Sequence, residues 1–205
     1  MIFVGGYVWW KVYEKRVVRS TLPLLKHGNQ RVQNFREAKK KASLIYHDHP
    51  FTFYCHCPFH GKQVALNGCS YSVKVSGKRS RRIEWEHIVP VSLFGKNFPS
   101  WFGGHQRCRS SSGQKYRGRK CSRKVSQNFR FMEGDLYNLV PAIGEVNRLR
   151  GRRPMGRLLG KDRSFSLCGL QFGSRGPVEP ANDLKGFIAR TYLYRLFCLL
   201  LCRRS

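Results

Sequence analysis

The sequence predicts one α+β domain built around a small mixed sheet, and three observations point there. Apolar residues recur at helical spacing in a few separated stretches. Other short stretches have strand composition. Eight cysteines are scattered through the 205 residues rather than gathered in pairs. The length suits one ordinary domain with short extensions. A hydrophobic share of 41% supplies a core and excludes disorder along the whole chain.

Residues 1–34 read as a basic N-terminal extension. Their first ten residues are apolar, but no basic residue precedes them, and a membrane span needs about 20 apolar residues. The folded domain is expected over 35–195. Its first helix is expected after Asn34 as N-cap, with Phe35, Ala38, Ala42, Ile45 and Tyr46 on one face and Pro50 as the stop. Stretches 51–54 and 71–75 have strand composition, with Gly61 and Gly68 as turn signals. Residues 95–128 read as a long polar loop. A helix follows Pro141, with Ile143 and Val146 on one face and Gly151 near its end. The last helix is expected from Asn182 or Asp183, burying Leu184, Phe187, Ile188 and Tyr192. Residues 196–205 form a short tail that reads as a helix end rather than an anchor.

Charge narrows the function. Lys and Arg number 39 against 11 Asp and Glu, a net +28. A domain so charged repels itself and is relieved by a polyanion, with nucleic acid first and an anionic membrane second. Scattered cysteines suit a disulfide framework in an oxidising compartment. Cys55 and Cys57 share a strand face and are expected to reach different partners. A zinc site from Cys55, His56, Cys57 and His60 matches no spacing that tetrahedral zinc favours.

The scarce acids are grouped: Glu84 with Glu86, and Glu133, Asp135 and Glu145 farther on. Grouped carboxylates on a polyanion binder point to a hard cation such as Mg2+, which takes oxygen ligands. On a strand, Glu84 and Glu86 face one side. His87 follows at the strand end, where a near-neutral imidazole suits a general base. A solvated surface His beside a Glu fits that segment equally well. In the second group Asn147 is placed to offer an amide oxygen. Asn138 is its rival, with a turn or cap role as the plainer reading.

Several strings carry a family resemblance. They are Arg82-Ile83-Glu84-Trp85-Glu86-His87-Ile88-Val89-Pro90, Gly118-Arg119-Lys120, Asp135-Leu136-Tyr137-Asn138-Leu139 and Pro141-Ala142-Ile143-Gly144-Glu145-Val146-Asn147, together with the spacing of Cys55, Cys57 and Cys69. From about residue 35 to 195 the chain resembles bacterial endonuclease I, periplasmic or secreted nucleases with a ββα-metal (His-Me finger) active site. The resemblance implies a Mg2+-dependent endonuclease that cuts DNA and RNA without sequence preference, acting as a monomer. His87 would be the general base, Glu86 and Asn147 the ligands of one Mg2+, and Arg119 the phosphate-binding arginine. Arg82 and Lys120 would contact nucleic acid. Cys55, Cys57, Cys69, Cys108, Cys121 and Cys168 match the family's disulfide positions.

The chain departs from that pattern in two places. It is longer between Gly95 and Arg119, which makes Arg117 an alternative to Arg119. After Tyr194 it runs into a short tail holding Cys198 and Cys202, which have no family counterpart. A catalytically inactive, nucleic-acid-binding remnant is therefore the alternative expectation. A membrane-active basic protein is a third, but it leaves the acid-His cluster unexplained.

Overall fold

The computed structural model describes residues 28–69, 71–73, 77–159 and 163–202; most of the expected N-terminal extension lies outside them. Helix α1 (Phe35–Ile45) starts where expected. Asn34 accepts from the Glu37 amide at 3.0 Å, and Glu37 returns a bond to the Gln33 amide at 2.9 Å. These bonds satisfy amides that the first turn leaves open. Ala38 and Ala42 are buried and Tyr46 packs on Trp85, but Ile45 is exposed. The segment before α1 is docked as well. Val32 is buried, and the Asn29 amide donates to the Phe131 carbonyl at 3.0 Å.

The single mixed sheet is replaced by three small antiparallel sheets. Strands β1 (Phe59–His60) and β2 (Gln63–Val64) form a hairpin. Strands β3 (Ile83–His87) and β4 (Leu139–Ile143) pair in full register, Glu84 opposite Ala142 and Glu86 opposite Val140. Strands β5 (Phe165–Leu167), β6 (Leu170–Phe172) and β7 (Val178–Glu179) make the third. A two-residue turn forces antiparallel pairing. Between β5 and β6, Cys168 and Gly169 both take positive φ, as hairpin turns of this kind require.

Other expectations are corrected. No strand forms over 51–54: Phe51 makes one bridge to Pro58 and the chain then turns. Disulfides Cys55–Cys168 and Cys57–Cys69 draw this stretch to two different neighbours, which rules out an extended run and a zinc site alike. Tyr71 to Val73 have no regular structure, and 74–75 lie outside the described residues. The expected helix after Pro141 begins later. Residues 139–143 are β4, every one buried, and α6 (Gly144–Arg150) follows, ending before Gly151. Pro141 is tolerated in a strand because its carbonyl faces away from β3, accepting from the Phe53 amide at 2.8 Å. Its missing N–H therefore costs no ladder bond.

The stretch 95–128 is only partly loop. After α2 (Val91–Gly95) come α3 (Pro99–Phe102) and α4 (Arg119–Val125), then α5 (Gln127–Glu133). Phe98 and Trp101 anchor the region on Phe129, with ring centroids 5.3 and 6.2 Å away. The remaining loop is closed by Cys108–Cys121 and an Arg109–Lys115 bridge. Helix α7 (Asn182–Cys202) buries Leu184, Ile188 and Cys198, while Phe187 is partly exposed and packs on Phe53. Among the described residues no helix is long and apolar enough to cross a membrane.

The main core joins Ile83, Val140, Ile143 and Val146 to Leu170, Phe172, Leu184 and Ile188. A second cluster gathers Val89, Phe94, Phe129 and Met132 beneath α2 to α5. Phe129 is fully buried among three aromatic neighbours. Phe129→Ala is expected to cost about 3–5 kcal/mol of unfolding free energy in urea. A loss below about 1 kcal/mol would show that α5 is held by other means.

Candidate active site

The site is built where α6 folds back over β3 and β4. Glu84 and Glu86 point to the helix side of β3, as a two-residue period dictates. On α6, Asn147 and Arg150 lie three residues apart and so share a face. The two spacings meet: Asn147 bonds Glu84 and Arg150 bonds Glu86.

Glu86 is buried. Its Oε1 accepts from Arg150 Nη1 at 2.8 Å and from the Tyr54 hydroxyl at 3.4 Å. Arg150 also donates to the His87 carbonyl at 2.7 Å and to the Ile88 carbonyl. Burial pushes Glu86 up to about 7, against the pull of Arg150. No described residue bonds its Oε2.

His87 ends the strand with its ring beside Phe35, centroids 5.0 Å apart. Its Nε2 lies 2.9 Å from the Glu133 carbonyl. A carbonyl only accepts, so Nε2 carries the hydrogen and Nδ1 keeps its lone pair. Burial, reinforced by the nearby Arg119 charge, lowers His87 to about 3. The imidazole is therefore neutral near pH 7.

Glu133 works twice. Its carbonyl fixes His87, while its fully buried carboxylate accepts from Arg119 Nε at 2.5 Å and from Arg123 at 2.6 and 2.7 Å. Burial alone would raise this carboxyl, but Arg123 and Arg119 outweigh it and hold it low. Arg119 also lies over the Phe35 ring at 5.4 Å.

Glu86, His87, Arg119 and Asn147 line one cleft of about 380 Å³, with Phe35, Trp101, Arg150 and Arg152 around them. A groove of about 550 Å³ shares Phe35, Trp85 and Asn147 with it and carries Arg36, Lys39, Lys40, Lys62 and Arg82. Arg119, not Arg117, faces the cleft. Lys120 lines neither space; it lies over the Tyr116 ring at 4.6 Å. Asn138 is engaged elsewhere, exchanging bonds of 2.7 and 3.0 Å with the Val89 backbone. Arg150, Phe35 and the Glu133 carbonyl escaped sequence reasoning. For Arg150 the available signal was its place three residues after Asn147.

Among the described residues no three His, Cys, Asp or Glu side chains converge on a metal cage. The cleft offers Glu86 Oε2 and the Asn147 amide oxygen. Two hard oxygen donors of this kind fit a hard divalent cation such as Mg2+, which keeps several of its waters.

The endonuclease I family model matches residues 12–198. This chain belongs to the endonuclease I family. It is 38% identical over 168 residues to an extracellular deoxyribonuclease of Aeromonas hydrophila, covering 79% of this chain and 68% of that protein. A periplasmic deoxyribonuclease of the same organism is 37% identical, with 80% and 66% covered. An Endonuclease-1 of Buchnera aphidicola is 35% identical, with 80% and 62% covered. The chain thus spans about two thirds of the length of these family members.

The lowered His87 makes a stability prediction. Its folded pKa of about 3 lies below the unfolded value of about 6.5, so the unfolded chain binds the proton first. The contribution is whole above pH 6.5 and is lost as pH falls towards 3. His87→Gln should therefore lose less stability between pH 7 and pH 5 than the natural chain does. Equal losses in parallel urea titrations would mean that His87 titrates normally.

Proposed function

We propose that this endonuclease I family member is an exported, Mg2+-dependent endonuclease that hydrolyses phosphodiester bonds of DNA and RNA. The observation that carries the reading is the cleft shared by His87, Glu86, Asn147 and Arg119, opening onto a cationic groove. The pairing of β3 with β4 and the helix α6 that follows β4 support the reading of this cleft as a ββα-metal unit. The intact hydrogen-bond network around His87 supports an enzyme over an inactive remnant. Periplasmic and extracellular relatives and three disulfides support export.

Glu86 Oε2 and the Asn147 amide oxygen would hold the cation, which when bound polarises the phosphate and stabilises the leaving oxygen. The neutral His87 takes the proton of the attacking water at Nδ1. Its Nε2 hydrogen stays on the Glu133 carbonyl, which fixes the tautomer and the ring plane. Arg119 is tied through Nε, and no described residue accepts from its terminal nitrogens, so these bind the anionic oxygens of the scissile phosphate. Arg36, Lys39, Lys62 and Arg82 hold the flanking backbone. Such contacts position the strand and do not read bases, hence the lack of sequence preference.

Purified, oxidised protein should nick supercoiled plasmid with Mg2+ and not with EDTA. His87→Ala should lose about 10²–10⁴ in rate while still binding DNA, because only the base is removed. Undiminished cutting by that variant would refute the assignment. Replacing Arg36, Lys39 and Lys62 with alanine should flatten the dependence of DNA affinity on salt, by about 0.9 in log–log slope for each phosphate no longer neutralised. An unchanged slope would place the strand elsewhere.

A further inference from the structure

Glu84 has no part in the chemistry above, yet it stands in the groove among Arg36, Lys39, Lys40, Lys62 and Arg82. A carboxylate there repels the polyanion that its neighbours attract. Its surroundings are nevertheless built for it. Arg79 grips both oxygens, Nε at 2.8 Å and Nη2 at 2.5 Å, and Arg82 adds a bond at 3.3 Å. Gly144 leaves the space: a Cβ there would come within 2.8 Å of the Arg79 carbonyl and 3.0 Å of the Glu84 carboxyl carbon. The remaining bond is to Asn147, whose Nδ2 donates to Glu84 Oε2 at 3.3 Å.

An asparagine amide has a donor end and an acceptor end on one rotor. Only the donor end is attracted to a carboxylate; the reverse orientation sets oxygen against oxygen. Glu84 therefore decides which end of Asn147 is left for the His87 cleft. We propose that Glu84 is a positioning residue, clamped by Arg79, that turns the Asn147 oxygen towards a divalent cation. With both oxygens held by Arg79, Glu84 is not itself a ligand. The inference rests on the nuclease reading and adds to it an orienting residue outside the ligand pair. It also accounts for an acid kept in a groove for polyanions.

Two measurements on the full-length chain test it: Mg2+ affinity by calorimetry without DNA, and duplex DNA affinity in EDTA. Glu84→Ala should bind Mg2+ about 10–100-fold more weakly, as loss of a group that orients a ligand does. Its DNA affinity in EDTA should be no weaker than that of the natural chain, because a repelling charge is gone. Glu84→Gln keeps an oxygen that can accept from Asn147 and should recover most of the Mg2+ affinity. Glu84→Met, which fills the same space without an acceptor, should behave as alanine does and replaces it if the alanine variant does not fold. Natural Mg2+ affinity in the alanine or methionine variant would overturn the inference and leave the nuclease reading standing. So would a glutamine variant as weak as either. A natural chain that binds no Mg2+ would remove the functional reading and this inference with it.

Discussion

The buried pair of Arg150 and Glu86 is the constraint on which the rest of the site depends. One guanidinium, almost wholly out of water, bonds the Glu86 carboxylate and the carbonyls of His87 and Ile88. It thereby closes the end of β3 onto α6 and fixes the backbone from which the His87 side chain leaves. Such a pair is not kept for stability, since well-packed apolar residues of similar size often serve as well or better. Its value is geometric. It holds one oxygen of a carboxylate in place and leaves the other able to act, in surroundings where an unpaired charge would be expelled.

The same economy runs through the other acids. Among the described residues, Glu133 is held by Arg119 and Arg123, Asp135 by Arg195, Glu84 by Arg79 and Arg82, and Glu179 by Arg163 and Lys185. In a chain with 39 basic and 11 acidic residues, these acids serve as internal anchors. Arg36, Lys39, Lys40 and Lys62 face outward instead and line the groove beside the cleft.

Much of this was legible in the sequence, and the misses have physical causes. The helix starts at Asn34 and Asn182 and the helix end at Gly151 were readable because capping chemistry is local. Glu86 stood out because acids are rare here, whereas His87 and Asn147 were singled out from their alternatives by the family resemblance. The strand expected over 51–54 failed because two disulfides to distant partners override strand composition. The helix expected directly after Pro141 yielded to β4 because pairing with β3 buries every residue from Leu139 to Ile143. The helices within 95–128 were hidden because the aromatic contacts that stabilise them, Phe98 and Trp101 on Phe129, join residues far apart in sequence. Arg150 was invisible for a related reason. A lone arginine in a chain rich in arginine gives no sign that it is buried.

Glu133 links two groups that are usually considered separately. Its carbonyl seats the imidazole and its carboxylate seats Arg119, so side chains rooted on β3 and on α4 both meet the C-terminal end of α5. A displacement of that helix would therefore act on the proposed base and on the proposed phosphate-binding arginine together. In the proposed reaction one residue is thus the common reference point from which the base and the phosphate contact are both set.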